Sequence, residues 1–190
     1  MLLLSSELLL IQLMTLIKFH KYISLVVSIQ LLLWTISGIY FAFNKIENVR
    51  GEQYLKNQEI EINQTQIRSE KLSHEIIEDI VVKETYLEPT NIMLIQEQVR
   101  GSEYRGKKLP IYKVTSINKD NKNINIYIDA YSGEIVAIRS KQWRIWDLMW
   151  GFHIMDWVDR DNIDNLLLKI FSFLALFTSI SGIVLFFKRR

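Results

Sequence analysis

Five aromatic or imidazole side chains recur at helical spacing in a short stretch near the C-terminal end of the chain. They fall three and four positions apart, so a helix would place them on one face. They are Trp143, Trp146, Trp150, His153 and Trp157. Two interpretations remain open. The face lies on the outer leaflet with its indoles among the headgroups, or it walls a cofactor or partner site into which His153 points.

Carboxylates crowd the residues that follow, but their spacing does not predict a metal site. Asp156, Asp159, Asp161 and Asp164 lack the spacing and the turn glycine of a calcium loop. Helix capping near Asn162 and solvation explain them more simply, so no metal ligand is predicted. The sequence contains no Gly-rich phosphate loop, H-E-x-x-H or G-x-S-x-G motif. We therefore predict no catalytic residue, and the sequence favours a protein that is not an enzyme.

The composition excludes further kinds of chemistry. The 190 residues include no Cys, which rules out disulfides, thiol catalysis and Cys-ligated zinc or iron–sulfur clusters. The formal net charge is +2, so no strong electrostatic field indicates a nucleic-acid partner.

Two apolar blocks predict transmembrane helices and a lipid bilayer as partner. Residues 23–43 carry no charge, and a helix of that length measures about 31 Å, close to the thickness of a hydrocarbon core. Residues 166–187 form the second block, with Lys169 near enough to its end to snorkel. Basic residues flank both blocks on the side of the termini, which predicts that both termini are cytoplasmic and the middle domain extracytoplasmic. These residues are Lys18, Lys21, Lys188, Arg189 and Arg190.

The first 17 residues leave two alternatives. Met14 is the true start, or the segment is an N-terminal extension that lies in the inner interface or prolongs the first helix. The first span lacks a small-x-small cleavage site and is expected to remain as an anchor. The predicted organisation is an extension at 1–17, a first transmembrane helix at 18–45, an extracytoplasmic domain at 46–140, a Trp-rich interfacial helix at 141–162 and a second transmembrane helix with a basic tail at 163–190.

A four-residue pattern occurs in both spans, as Ile36-Ser37-Gly38-Ile39 and as Ile180-Ser181-Gly182-Ile183. Small residues let membrane helices approach closely. Gly38 and Gly182 are therefore predicted to contact the other span or a second chain. Gln30, near the middle of the first span, needs a hydrogen-bond partner, for which Thr178 and a second chain are the candidates.

The middle domain predicts one helix and several antiparallel strands, a small α+β layer with the apolar face of the sheet under the helix. Ser69 or Ser73 would cap the helix. Asp129 would accept hydrogen bonds from backbone amides of a turn, in which Gly133 allows a positive φ. The pattern places the helix at 69–84 and strands at 91–99, 110–117, 124–129 and 134–139, with a short strand at best at 59–62 and a break at 88–91.

Residues 126–136, Ile-Tyr-Ile-Asp-Ala-Tyr-Ser-Gly-Glu-Ile-Val, follow a strand and a hairpin and resemble the signature of the PepSY domain. This similarity covers roughly residues 69–140. The whole layout resembles the PepSY-associated transmembrane family, whose members enter the first span through a basic, His-containing segment, as residues 20–25 do here. The chain departs from the longer members by having only two spans and one PepSY module.

The resemblance implies a bacterial cytoplasmic (inner) membrane protein and two classes of function. PepSY domains are associated with modulating proteases and with sensing at the envelope, which implies a membrane-anchored binding or regulatory accessory protein whose partner is an envelope protease. The transmembrane family includes iron-regulated proteins and ferric-siderophore reductases, which implies a haem-b or reductase-associated subunit in iron acquisition.

His20 and His153 are the candidate haem ligands under the second class. They stand at opposite ends of the first span, roughly 30 Å apart, so they cannot share one haem within a chain. A homodimer or a membrane partner subunit would have to supply the second ligand. His20, between Lys18 and Lys21, is otherwise an interfacial residue.

Overall fold

The computed structural model describes residues 2–56 and 70–188. The alternation predicted at 59–62, the candidate cap Ser69, and Arg189 and Arg190 of the basic tail lie outside that part.

Two long helices form the membrane part. The helix α1 spans Leu2–Phe43, and the last helix of the chain, α5, spans Leu166–Lys188. They are long and apolar enough to cross a membrane over Ile17–Phe43 and Leu166–Phe187, which confirms the two predicted spans. The backbone of residues 2–17 continues α1 without a break, so it prolongs the first helix.

The domain between the spans is a helix on an antiparallel sheet, as predicted. Two short elements follow α1: α2 (Ile46–Arg50) and a 3-10 turn (Glu52–Tyr54). The helix α3 (His74–Glu84) is capped by Ser73, whose Oγ accepts a hydrogen bond from the Ile76 N–H, so it starts later than the predicted helix over 69–84. The strands, in spatial order, are β1 (Glu88–Ile95), β2 (Ile111–Ile117), β3 (Asn123–Asp129) and β4 (Ile135–Arg139).

The sheet has a core on each face. Ile77 and Val81 of α3 pack on one face against the buried isoleucines Ile124, Ile126 and Ile128 of β3. Tyr104, from the long β1–β2 connection, packs on the other face against Ile111 and Tyr127. The two glycines and the charges of residues 100–109 indicate a turn or loop, and nothing in that pattern predicts a second core.

The predicted break at 88–91 is wrong, because β1 starts at Glu88 and includes Pro89. A proline is tolerated at this place since β1 is an edge strand and its register shifts between Pro89 and Asn91. The strand also stops at Ile95 instead of reaching Val99.

The helix α4 (Lys141–Ile154) connects the sheet to the second span. Its first turn is capped by Ser140, whose Oγ accepts the Trp143 N–H. It ends at Ile154 because Met155 adopts a left-handed conformation with φ 57°. The predicted helix over 141–162 is therefore too long.

Candidate functional site

His153 lies in the last turn of α4, against the part of α1 that is nearest to the sheet domain. Its Nδ1 is 2.8 Å from the hydroxyl oxygen of Ser37, a residue with 0% of its surface exposed. The Trp34 indole N–H donates to the His153 carbonyl oxygen at 2.7 Å. The ring and the backbone of His153 are therefore both fixed by α1.

Three of the five predicted aromatic positions form one stack. The rings of Trp146 and Trp150 lie 5.6 Å apart and almost parallel, and Trp150 and His153 lie 6.3 Å apart in the same way. Phe41 of α1 contacts all three rings. This face of α4 thus packs against α1, and the stacked rings form part of the contact between the two helices.

The other two tryptophans lie elsewhere. Trp143 is 9% exposed and sits 4.2 Å beneath the Arg139 guanidinium, so it belongs to the sheet domain. Trp157 lies beyond the end of α4 and is 53% exposed. The left-handed residue Met155 removes Trp157 from the predicted common face.

Gln30 is buried and donates to the carbonyl oxygen of Phe152 at 3.3 Å. The last carbonyls of a helix lack partners within it, and α1 satisfies two of those in α4, through Gln30 and Trp34. Thr178, the predicted partner within the chain, does not bond to Gln30. The Thr178 hydroxyl is buried with no hydrogen bond to any described residue.

At the opposite end of the membrane part, His20 of α1 meets α5. Its Nδ1 is 2.7 Å from the hydroxyl oxygen of Ser181, and its Nε2 is 3.3 Å from that of Ser24. A methyl group added at Gly182 would lie 3.4 Å from the His20 ring. Gly38, by contrast, has nothing within 4 Å of the equivalent position.

The repeated Ile-Ser-Gly-Ile pattern thus has one role in both spans, which is to hold a histidine. Ser37 holds His153 and Ser181 holds His20, each through Nδ1. The sequence showed the repeat and the two histidines but did not link them. Their link depends on α4 lying beside α1, which the pattern does not reveal.

The two histidines form two separate sites. Ser37 and His20 lie 17 positions apart on the same continuous helix, which is about 25 Å along its axis. Each end therefore offers one imidazole per chain. Among the described residues no group of three or more His, Cys, Asp or Glu side chains could hold a metal ion.

A buried charged junction joins the sheet domain to α4. Asp147 of α4 is 2% exposed and accepts hydrogen bonds from Arg105 and from Arg160, the latter at 2.8 Å. Glu103 accepts from Arg144 of α4 and from Asn125 and Tyr127 of β3. The residues of this junction are Glu103, Arg105, Arg139, Arg144, Asp147 and Arg160.

Burial and charge act on the pKa values of this junction in opposite directions. Burial alone would raise the pKa of Glu103, but hydrogen bonds from Arg144, Asn125 and Tyr127 lower it below its usual range. Burial lowers the pKa of Arg139 to about 10, so this guanidinium remains charged near neutral pH. Burial and the neighbouring Glu103 carboxylate raise the pKa of the Tyr127 phenol, which stays protonated.

The acidic loop after α4 is held by its own backbone and by cations. The Asp156 carboxylate accepts the N–H groups of Asp159 and Asn162, each at 3.1 Å. Asp159 pairs with Arg100, and Asp164 pairs with Lys169. The cap of α5 is Asn165, whose side-chain oxygen accepts the Leu168 N–H at 2.8 Å, so the capping residue lies three positions after Asn162.

Asp129 and Gly133 shape the turn between β3 and β4. Asp129 Oδ1 accepts the N–H groups of Tyr131 and Ser132 at 2.9 and 2.8 Å. Gly133 has φ 76°, and a methyl group there would lie 2.7 Å from Ile80 of α3. Both residues therefore act in the structure of the turn.

One comparison with known proteins, the comparison with family models, agrees with this architecture. Comparisons with curated proteins and with solved structures found no match. The family model described as the PepSY-associated TM region matches residues 17–190, which include both spans, the sheet domain and both serine–histidine pairs. The chain belongs to the PepSY-associated transmembrane family.

Proposed function

We propose that this protein is a membrane-anchored binding and regulatory module of the bacterial cell envelope, an accessory protein rather than an enzyme. Its sheet domain binds a partner outside the cytoplasmic membrane, with an envelope protease as the class that PepSY domains suggest. When the partner binds, the helices transmit the resulting change of conformation into the membrane. The observation that carries this proposal is the buried carboxylate of Asp147, which couples the domain to α4.

The helix α4 contacts both the sheet domain and the membrane helix α1. Its first half contributes Arg144 and Asp147 to the charged junction with the sheet domain. Its last turn is bonded to α1 through Phe152 and His153. A ligand that moves the β1–β2 connection must therefore move α4, because leaving a buried charge unpaired costs about 3–5 kcal/mol. A passive tether would not require this coupling.

In this proposal both termini lie in the cytoplasm and the sheet domain lies outside, as the basic flanks at Lys18 and Lys21 indicate. The natural chain has no Cys, so a single introduced Cys reports one site. Lys119→Cys, in the exposed β2–β3 hairpin, should react with an impermeant maleimide on intact cells. Lys18→Cys should react only after the cells are opened. The reverse pattern would contradict the orientation.

The binding role is tested by photo-crosslinking of the full-length protein in its own membrane. A benzophenone side chain in place of Met93, which is exposed on β1, should give an adduct with a specific envelope protein. The same group in place of Phe173, which is exposed on α5, serves as the control. Because Met93 lies at one edge of the sheet, the same group is also placed at Glu134, which is exposed beside β4 at the other edge. The binding proposal fails if neither position gives an adduct that depends on it.

A second candidate function is a haem-b-associated or reductase-associated subunit in iron uptake. It is favoured by the way in which Ser37 and Ser181 fix Nδ1 of the two histidines, since metal-bound imidazoles are usually oriented through their other nitrogen. Nε2 of His153 has no hydrogen bond to any described residue, which fits a ligand role. A bound haem b would supply one-electron transfer.

One chain supplies only one axial ligand at each end, so this candidate requires a second copy or a partner subunit. The full-length protein, produced with haem available, should then show a b-type α-band in a reduced-minus-oxidised spectrum. His153→Ala should remove absorbance in the α-band, whereas His74→Ala, at an exposed position on α3, should leave that band unchanged. A spectrum without the α-band excludes this candidate and leaves the binding role standing.

A further inference from the structure

A cleft of about 420 Å³ opens between α2, β4 and α4. Three cationic side chains line it, from Arg50, Lys107 and Arg139, and the residues that line it include no carboxylate. The remaining lining is mainly apolar, from residues such as Val49, Ile135 and Trp146. The chemistry of the cleft thus favours an anionic ligand that also has apolar parts.

Two of the three cleft cations have no ionic partner within the described part of the chain. Arg50 and Lys107 make no ion pair there, and Arg139 donates to the carbonyl oxygens of Glu103 and Ile138. The adjoining charged junction holds four arginines against the carboxylates of Glu103 and Asp147. Because Arg139 belongs to both groups, the cleft and the junction together hold six cations against two carboxylates.

The cleft follows the β4 edge of the sheet. Within the residues that the structure describes, β4 pairs only with β3, and all five of its residues line the cleft. Ile138 belongs to the core on the α3 face, whereas Ala137 belongs to the core on the opposite face. The cleft therefore straddles the outer edge of β4, where an extended chain can add as a further strand.

The shape of the cleft favours a peptide over a lipid headgroup. All five residues of β4 line it, so the cleft presents a row of strand backbone groups to its occupant. A peptide can pair with such an edge, whereas a lipid headgroup offers no matching ladder of N–H and C=O groups.

We propose that this cleft binds an extended acidic peptide segment of the protein partner along the outer edge of β4. The peptide backbone pairs with β4, where it replaces the Arg139 guanidinium at the Ile138 carbonyl oxygen, and its carboxylates face Arg50, Lys107 and Arg139. This inference rests on the proposed binding function and names the chemistry of the partner. It is tested separately from the crosslinking experiment, which needs no assumption about the site.

The test uses the full-length protein in zwitterionic nanodiscs and a fluorescent hexapeptide of alternating glutamate and valine. Anisotropy should show saturable binding that weakens with salt. The glutamine version of the peptide should bind at least tenfold more weakly. Arg50→Gln or Lys107→Gln should each lower affinity about threefold, and the pair about tenfold. Lys108→Gln, at the exposed neighbouring position outside the cleft, should leave affinity unchanged.

Backbone pairing is tested with N-methylated peptides. Because strand amides point alternately to the two sides, methylation in one register should abolish binding and methylation in the other should not. Equal binding of both methylated forms would reduce the cleft to a simple anion site and overturn the peptide assignment. Loss of peptide binding in nanodiscs with anionic lipid would assign the cleft to headgroups instead. Failure of the acidic peptide to bind would overturn this inference alone.

Discussion

Ser37 of the first span and His153 of α4 are joined by a contact of 2.8 Å between the serine hydroxyl and the imidazole Nδ1. The contact couples a buried polar residue of a membrane helix to the last turn of a helix that begins in the sheet domain. His20 and Ser181 repeat it at the other end of the same helix. The following predictions test these relationships and the charged junction above them.

Removing either serine hydroxyl should loosen the helix that it holds. Ser37→Ala and Ser181→Ala should each lower the free energy of unfolding by about 1–2 kcal/mol, because the partner imidazole is left without its hydrogen bond. Thermal unfolding in detergent measures the effect. Ser28→Ala is the matched control, since Ser28 is exposed and, among the residues that the structure describes, bonds only to the Ser24 carbonyl of its own helix. Equal effects of all three changes would contradict a specific role.

Neutralising Asp147 should be among the most damaging single changes at the junction between the sheet domain and α4. Asp147→Asn leaves two arginines facing a buried amide, and breaking a buried ion pair costs about 3–5 kcal/mol. Chemical unfolding followed by near-ultraviolet circular dichroism measures the loss. Asp120→Asn, in an exposed pair with Lys122, should cost less than about 0.5 kcal/mol. A small effect at Asp147 would mean that the junction does not clamp α4.

The two glycines of the repeated pattern should respond differently to enlargement. Gly182→Leu should displace the His20 ring and destabilise the pairing of α1 and α5, because even a methyl group there is in contact with that ring. Gly38→Leu should be tolerated within one chain, where the space beside it is open. Light scattering in detergent reports the oligomer size. If Gly38→Leu reduces that size, Gly38 lies at a contact between chains.

Stability should fall in acid partly through Glu103. Its pKa is lower in the folded protein than the usual glutamate value of about 4.3, since the hydrogen bonds and charge of the junction outweigh burial. Its contribution is therefore complete above that usual value and is lost as the pH falls through the lowered pKa. The midpoint of thermal unfolding between pH 7 and pH 3 should show a shallower acid decline in Glu103→Gln than in the natural protein. Glu97→Gln, at an exposed position, should keep the natural slope.

The parts of the fold that have a strong period could be predicted from the sequence. The isoleucines of β3 alternate cleanly, the spans are long apolar runs, and Asp129 with Gly133 marks a turn, so the layout of two spans around a helix on a sheet follows from them. Pro89 misled the prediction because its cost depends on whether the strand lies at an edge, which only the complete sheet determines.

The site was less predictable because its contacts link distant elements. Gln30 was correctly singled out as a buried amide. Its partner, the Phe152 carbonyl oxygen, is open to α1 only because α4 ends there and leaves that oxygen with one long contact, 3.4 Å, to the Met155 N–H. The end of α4 depends in turn on a left-handed methionine, for which no sequence signal exists. The contacts of the two histidines also depend on how distant helices pack, since their serine partners lie more than a hundred residues away.

The unbroken course of α1 has a mechanical consequence. Each residue of an α-helix advances by about 100°, so Ser37 and His20, 17 positions apart, point in directions that differ by about 100°. The helices α4 and α5 therefore contact α1 on different sides and at different heights along its axis. If α4 rotated α1 near Ser37, the His20 end would rotate by the same angle, because the helix has no break between the two residues.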